Sequence, residues 1–166
     1  MIKTIPEAFI SELNKIERHY ISIGYCAICL FKKDQLEKGQ IGYSVDAEGK
    51  SLVGTVDGDW QPNWLVIGYA ESVGDPIFVD LAQLDIPVFT AMIGIGQWLP
   101  TKIADAFKEL LAALDLVFEV SIGREYPVLL EQNPIPEKVF DQVIGEIEQR
   151  NPRSDSEFWR LLLGKY

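Results

Sequence analysis

Residues 59–114, DWQPNWLVIGYAESVGDPIFVDLAQLDIPVFTAMIGIGQWLPTKIADAFKELLAAL, carry the strongest structural signals of the chain. Three short apolar runs within them, at residues 65–71, 76–80 and 87–93, predict β-strands. Gly-Asp-Pro and Gln-Leu-Asp separate these runs, and both sequences are typical of turns. The segment therefore predicts three consecutive strands joined by short connections.

A helix is predicted after the third strand. Gly94-Ile95-Gly96 predicts a tight strand-to-helix turn, and Pro100 suits the first turn of a helix. Apolar side chains then recur at helical spacing on one face. They are Ile103, Phe107, Leu110, Leu111 and Leu114.

The residues before this segment predict a helix followed by short strands. Thr4 and Glu7 match a capping box, so we expect a helix that begins there and ends near His19. The other predictions are strands at residues 21–31, 41–45 and 51–56, a helical turn at 32–38 and a β-turn at 46–49.

Two helices are predicted near the end of the chain. Pro136 begins the first, whose apolar stripe includes Phe140 and Ile147. Ser154 and Glu157 match a second capping box and begin the last helix. Because no repeat or linker interrupts the chain, we expect a single domain over residues 1–166. Its core would span about residues 25–115, and residues 116–166 would form a C-terminal helical appendage.

Acidic residues dominate the central segment. The formal net charge is −10, and residues 41–116, with three basic and eleven acidic side chains, account for −8 of it. Proteins that bind nucleic acid need the opposite sign, because they neutralise phosphates. Two explanations remain open: a charged surface that favours solubility, or a surface that attracts a basic protein partner.

The composition predicts a cytoplasmic protein. The first residues do not resemble a signal peptide, and no apolar run reaches the ~20 residues that a membrane span requires. Two cysteines in 166 residues do not form a disulfide framework, which is consistent with a reducing compartment.

Four short sequences occur in a particular order. They are Asn63-Trp64-Leu65-Val66-Ile67-Gly68, Gly74-Asp75-Pro76-Ile77-Phe78-Val79-Asp80, Pro87-Val88-Phe89 and Ile103-Ala104-Asp105-Ala106-Phe107-Lys108-Glu109-Leu110-Leu111. Their order and spacing resemble the SUKH superfamily, to which fungal Smi/Knr cell-wall regulators and many bacterial toxin-immunity proteins belong. The resemblance covers about a third of the chain directly.

The resemblance implies an α+β fold, with a mostly antiparallel sheet packed by helices on one face. It also implies a non-enzymatic immunity protein that binds and neutralises a bacterial toxin domain by steric occlusion. A regulatory or scaffolding protein with a housekeeping partner is the alternative, as in the fungal members. A hydrolase built on the acidic residues is a third possibility. One fold supports many functions, so the partner depends on surface residues and not on the scaffold.

Cys26 and Cys29 form a C-x-x-C sequence, which is found in redox and metal sites. The flanking β-branched and aromatic residues favour a strand, on which positions three apart point to opposite faces. A structural zinc site needs four ligands, and the chain offers two cysteines and one histidine. We therefore predict buried, inert cysteines.

Other catalytic patterns are incomplete. His19 is the single histidine, and no Gly-x-Ser-x-Gly sequence presents a nucleophilic serine. Gly94 and Gly96 begin a dinucleotide-binding pattern, but Leu99 occupies the position of the third glycine. We therefore expect no enzymatic activity, no cofactor and no metal site.

The candidate partner-binding residues lie among the acids and next to one tryptophan. Most of the acids occupy turn positions, where aspartate makes local hydrogen bonds. Trp60 is predicted either to be exposed as an interface anchor or to fold back over one end of the sheet. The candidate residues are Asp57, Asp59, Trp60, Glu71 and Asp75.

Overall fold

Six consecutive strands form a single antiparallel sheet in the order β1-β2-β3-β4-β5-β6. The computed structural model describes residues 4–71 and 74–164. The strands are β1 (Tyr20–Ile23), β2 (Cys26–Leu30), β3 (Trp64–Ala70), β4 (Asp75–Asp80), β5 (Val88–Gly94) and β6 (Gln97–Ala104). The helices are α1 (Glu7–Leu13), α2 (Leu36–Gly39, after a 3₁₀ turn at Lys33–Gln35), α3 (Phe107–Ser121), α4 (Glu137–Arg150) and α5 (Glu157–Leu162). The predicted α+β fold with a C-terminal helical extension is confirmed.

The helices α1, α3, α4 and α5 pack on one face of the sheet, which we call the helical face. Alternate strand residues point towards them, as the two-residue period of a strand requires. Burial of each large apolar side chain contributes about 1.5–3 kcal/mol. Buried members of this core include Phe9, Ile21, Ile23, Ile28, Leu30, Leu65, Ile67, Ile77, Val79, Ile103, Leu110, Phe140 and Trp159.

The opposite face, which we call the open face, is covered in part by the chain between β2 and β3. A second buried cluster forms there from Trp60, Val66, Phe78 and Ala91. The strands predicted at 41–45 and 51–56 are wrong, because this segment contains only isolated β-bridges. The turn at 46–49 is confirmed, since the Asp46 carboxylate accepts bonds from two following backbone amides.

The N-terminal predictions need two corrections. Residues 21–31 form a hairpin, β1 and β2, which reverses at Gly24 with a φ of 58°. Helix α1 begins directly after Pro6 and ends at Leu13, and Thr4 makes no capping bond in it. His19 therefore lies outside the helix, with its Nδ1 atom 3.1 Å from the carbonyl oxygen of Leu30.

Pro100 lies in β6 and not in a helix, so the predicted start of the long helix is wrong. Helix α3 begins at Phe107. Gly94 and Gln97 form the first pair next to the turn. Ala91 and Pro100 form the fourth pair of the same hairpin. By the alternation of antiparallel pairs, the Pro100 nitrogen faces away from β5. An edge strand tolerates proline in that orientation, because no ladder hydrogen bond is lost.

The C-terminal helices begin near their predicted positions, but α5 is capped differently. Helix α4 begins directly after Pro136, as predicted. Ser154 and Glu157 do not form a capping box. The Ser154 hydroxyl donates instead to Asp105, and the Asp155 carboxylate accepts the Glu157 amide at 2.8 Å.

Asp105, at the junction of β6 and α3, connects the C-terminal segment to the sheet. Its carboxylate accepts bonds from the Ser154 hydroxyl at 2.6 Å and the Arg153 amide at 3.1 Å. Close by, the Trp159 indole donates to the Ile103 carbonyl at 2.9 Å. Burial alone would raise the pKa of Asp105, but these hydrogen bonds and the Arg153 charge outweigh it and lower the pKa.

We expect Asp105→Asn to destabilise the protein at pH 7 by about 2 kcal/mol, because a buried charged acceptor is lost. The native pKa of Asp105 lies below its unfolded value, which is about 3.9. The carboxylate thus stabilises the fold above that pH, and this contribution disappears as the pH falls through the native pKa. Urea denaturation of both proteins at several pH values measures the difference. A gap that stays constant down to pH ~2 would contradict the ionic role of Asp105.

Candidate protein-binding surface

Three short connections lie at the same end of the sheet. In an antiparallel sheet with strands in chain order, alternate connections share one end. The β1–β2 turn at Gly24 and Tyr25, the β3–β4 connection and the β5–β6 turn at Ile95 and Gly96 are therefore neighbours. We call this end of the sheet the hairpin end.

The β5–β6 hairpin projects beyond its neighbour at the hairpin end. Strand β4 pairs with β5 only over residues 88–90, whereas β6 pairs with β5 as far as Gly94. We call residues 91–100 the hairpin arm. Met92 and Ile93 are 60% and 64% exposed, Leu99 is half exposed, and Ile95 is fully exposed. Met92 and Leu99 are paired on one face of the arm, and Ile93 lies on the other face, paired with Trp98. Exposed apolar side chains concentrated in one projecting element mark interaction sites.

Ile95 combines full exposure with a strained backbone. Its φ of 51° lies in the left-handed region, which β-branched residues rarely adopt. Two-residue hairpin turns favour Asn-Gly at these positions, and the chain has Ile95-Gly96. Ile86 has the same φ but packs its side chain against the core. The side chain of Ile95 gains no such burial.

Asp57 and Asp59 lie beside the hairpin arm. The Gly58 carbonyl accepts a hydrogen bond from the Trp98 amide at 2.8 Å, which holds this loop against the edge of β6. Asp57 is exposed. Asp59 is half-buried, and its carboxylate accepts the Val56 amide at 3.1 Å. The structure therefore leaves Asp57 available to a partner and uses Asp59 to shape the loop.

Glu71 and Asp75 flank the connection between β3 and β4. Glu71 is exposed and accepts a hydrogen bond from the Tyr20 hydroxyl at 3.0 Å. Asp75 is half-buried and begins β4, and burial raises its pKa. Burial, and then the charge of Asp75, raise the pKa of Tyr43. No ion pair within residues 4–71 and 74–164 involves any of the four candidate acids.

Trp60 is buried, so the alternative that it is an exposed interface anchor is wrong. Its side chain is 1% exposed, and its ring centroid lies 4.8–5.3 Å from four other aromatic centroids. Those rings belong to Tyr43, Trp64, Phe78 and Trp98. The structure supports the other alternative, in which Trp60 folds back over the sheet.

The cysteines lie on β2, as the sequence predicts, and neither is disulfide-bonded. They are half-buried and not fully buried. Cys26 packs against the core on the helical face, whereas Cys29 is in register with Tyr20 and Tyr69 on the open face. Burial raises the pKa of the Cys26 thiol, which disfavours the reactive thiolate.

Within the described part of the chain, no group of three or more histidine, cysteine, aspartate or glutamate side chains could hold a metal ion. In the same residues, no helix is long and apolar enough to cross a membrane. Comparison with known proteins gave no match, since no family model, curated protein or solved structure matched this chain. The resemblance to the SUKH superfamily therefore stays a prediction.

Sequence reasoning missed the hairpin arm, because it assigned residues after Gly96 to a helix. The missed residues are Met92, Ile93, Ile95 and Leu99. A two-residue turn flanked by β-branched and aromatic residues was the available signal, but Ile95 in place of asparagine obscured it.

We expect Trp60→Ala to destabilise the protein by about 3–5 kcal/mol, because it removes the centre of a buried aromatic cluster. Urea denaturation followed by circular dichroism measures this change. Val56→Ala, in the same loop at an exposed position, is the control and should change stability by less than about 0.5 kcal/mol. Equal small effects of both substitutions would show that the loop does not stabilise the open face.

Proposed function

We propose that this chain is a non-enzymatic protein-binding module: a cytoplasmic bacterial immunity protein that neutralises a toxin domain by steric occlusion. The hairpin end is the contact surface in this proposal. The sequence resemblance supports the class of function, and the geometry of the hairpin end supports its location.

The proposal depends on the left-handed backbone and the full exposure of Ile95. A β-branched residue in the left-handed region costs about 1–2 kcal/mol of stability. Because the side chain of Ile95 is fully exposed, no burial offsets this cost. Burial in a partner explains why an apolar side chain occupies this position. Met92 and Leu99 on one face of the arm, and Ile93 on the other, add exposed apolar area that a partner enclosing the arm would cover.

Charge around the hairpin arm favours a basic partner. Asp57 lies beside the arm, and Glu71 projects from a neighbouring connection. Toxin domains that act on nucleic acid carry basic surfaces, because phosphate binding requires them. Apolar anchors surrounded by complementary charge are the usual arrangement of a protein interface. Occupation of the basic surface would keep the nucleic acid out.

The first test is growth rescue by co-expression with the toxin domain encoded beside the gene of this protein. Survival that depends on this protein, together with a purified complex of the two chains, supports the proposal. A folded protein that neither rescues growth nor binds that domain contradicts it. The same negative result would be expected of a regulator with a housekeeping partner.

We expect Ile95→Asn to stabilise the free protein by about 1 kcal/mol, because asparagine tolerates the left-handed region. The same change should weaken toxin binding at least about 10-fold, because it removes an apolar anchor. Denaturation and calorimetric titration measure the two effects.

Leu84→Asn is the matched control for Ile95→Asn. Leu84 is 99% exposed and lies in the β4–β5 connection, at the opposite end of the sheet. Leu84 does not belong to the described residues with a positive φ, so neither stability nor binding should change. Equal loss of binding in both variants would show that the hairpin arm is not part of the contact surface.

We expect Asp57→Lys combined with Glu71→Lys to slow association with the toxin domain about 10-fold and to flatten its salt dependence. Stopped-flow measurements over a range of ionic strength test this. Asp141→Lys combined with Glu146→Lys changes the net charge equally on the exposed surface of α4. If both double variants slow association equally, total charge and not the hairpin end attracts the partner.

A further inference from the structure

Four tyrosines lie together on the part of the open face that the Trp60 loop does not cover. Tyr20 and Tyr69 are in register with Cys29 between them on β1, β2 and β3. Tyr126 packs edge-on against Tyr25 with a centroid separation of 5.1 Å, and its amide donates to Ser22 on β1 at 3.0 Å. We call Tyr20, Tyr25, Tyr69 and Tyr126 the tyrosine patch.

The tyrosine patch is accessible and carries one carboxylate. Tyr20, Tyr25 and Tyr126 are each at least half exposed. The Tyr20 hydroxyl donates to the Oε2 atom of Glu71 at 3.0 Å, so the carboxylate lies at the hydroxyl end of that ring. Its second oxygen, Oε1, accepts no side-chain hydrogen bond from the described residues. A ligand therefore meets aromatic faces and a carboxylate side by side.

The hydroxyl groups of Tyr20 and Tyr69 stay neutral at physiological pH, because the pKa of each lies above the ordinary value for tyrosine. Partial burial and the hydrogen bond to Glu71 raise the pKa of Tyr20. The neighbouring Cys29, which is in register with Tyr69, raises the pKa of Tyr69, and partial burial adds to this effect. The single formal charge contributed by these groups is therefore the carboxylate of Glu71.

We propose that the tyrosine patch and Glu71 bind an arginine side chain of the protein partner, which rests on the proposed function. A guanidinium group stacks on aromatic faces and donates two parallel hydrogen bonds to a carboxylate. Lysine satisfies the charge but neither stacks nor forms the bidentate pair. The acidic surroundings exclude a nucleic acid, whose bases stack on tyrosine but whose phosphates are repelled.

A second copy of this chain does not supply the arginine. All five arginines of the sequence already have partners within the structure. Arg124 donates to the backbone carbonyls of Val120, Asn133 and Pro134. The others form ion pairs: Arg18 with Asp115, Arg150 with Glu109, Arg153 with Asp85 and Asp105, and Arg160 with Glu148. A second copy would have to break one of these contacts to offer an arginine, so we assign the arginine to a different protein.

Labelled hexa-arginine and hexa-lysine peptides test this without the toxin. Their affinities for the full chain are measured by fluorescence anisotropy at an ionic strength of about 0.15 M, where long-range attraction is screened. We expect hexa-arginine to bind at least about 3-fold more tightly than hexa-lysine. Equal affinities would overturn the proposal.

Substitutions test whether hexa-arginine binds at Glu71 and the tyrosine patch. Glu71→Gln should weaken hexa-arginine binding about 5-fold, whereas Asp141→Asn, with the same charge change on α4, should weaken it less than about 1.5-fold. Tyr20→Leu should weaken it about 3-fold, and Tyr20→Phe less, because phenylalanine keeps the ring. Equal effects of Glu71→Gln and Asp141→Asn would show non-specific attraction and overturn the proposal.

The same variants in the growth-rescue assay separate this inference from the proposed function. If Glu71→Gln and Tyr20→Leu rescue growth as well as the original protein while Ile95→Asn does not, the immunity function stands and the arginine site is wrong. If the original protein fails to rescue growth but binds hexa-arginine selectively, the arginine site stands and the immunity function is wrong.

Discussion

Burial of Trp60 against four aromatic rings covers the centre of the open face, which the helices do not reach. A six-stranded sheet with apolar residues on both faces must be shielded from water on each side, and different kinds of segment shield the two faces. Helices cover one face, and a loop with almost no regular structure covers the centre of the other. The indole of Trp60 is the fully buried side chain of this loop in the second cluster, and Tyr43 and Val53 pack beside that cluster.

The same loop also protects an edge of the sheet. Strand β6 is an edge strand, and exposed edges favour unwanted pairing with other chains. The amide of Trp98 points outward and donates a hydrogen bond to the Gly58 carbonyl. Pro100, which also faces outward, has no amide hydrogen that could pair with another strand. At the other end of β6, the Asp155 amide binds the Lys102 carbonyl. With its edge protected in this way, the hairpin arm can project without recruiting a further strand.

The hairpin end combines three chemical features that the fold brings together from distant parts of the sequence. The arm contributes apolar side chains, and the open face contributes the tyrosine patch. Asp57 comes from the loop between β2 and β3, and Glu71 comes from the β3–β4 connection. Tyr20 and Glu71 are 51 positions apart in sequence and share a hydrogen bond. A surface with separate apolar, acidic and aromatic regions is suited to one partner of defined chemistry.

The central strands were predictable because their signals are local. The apolar runs that became β3, β4 and β5 are bounded by turn sequences, and their limits agree with the structure to within one residue. Strand β6 was missed because Ile103 lies four residues before Phe107, which is also helical spacing. The strands predicted between β2 and β3 did not form, since packing of Trp60 determines the path of that segment.

The sequence by itself determined the antiparallel strands, the acidic character of the centre and the lack of a complete catalytic pattern, because each depends on neighbouring residues or on composition. Only the tertiary structure decided that Trp60 is buried, that Asp59 shapes a loop, and that Ile95 is exposed in a strained turn. These outcomes depend on which segments cover which face of the sheet. Contacts between residues far apart in the chain determine that, and no local pattern encodes them.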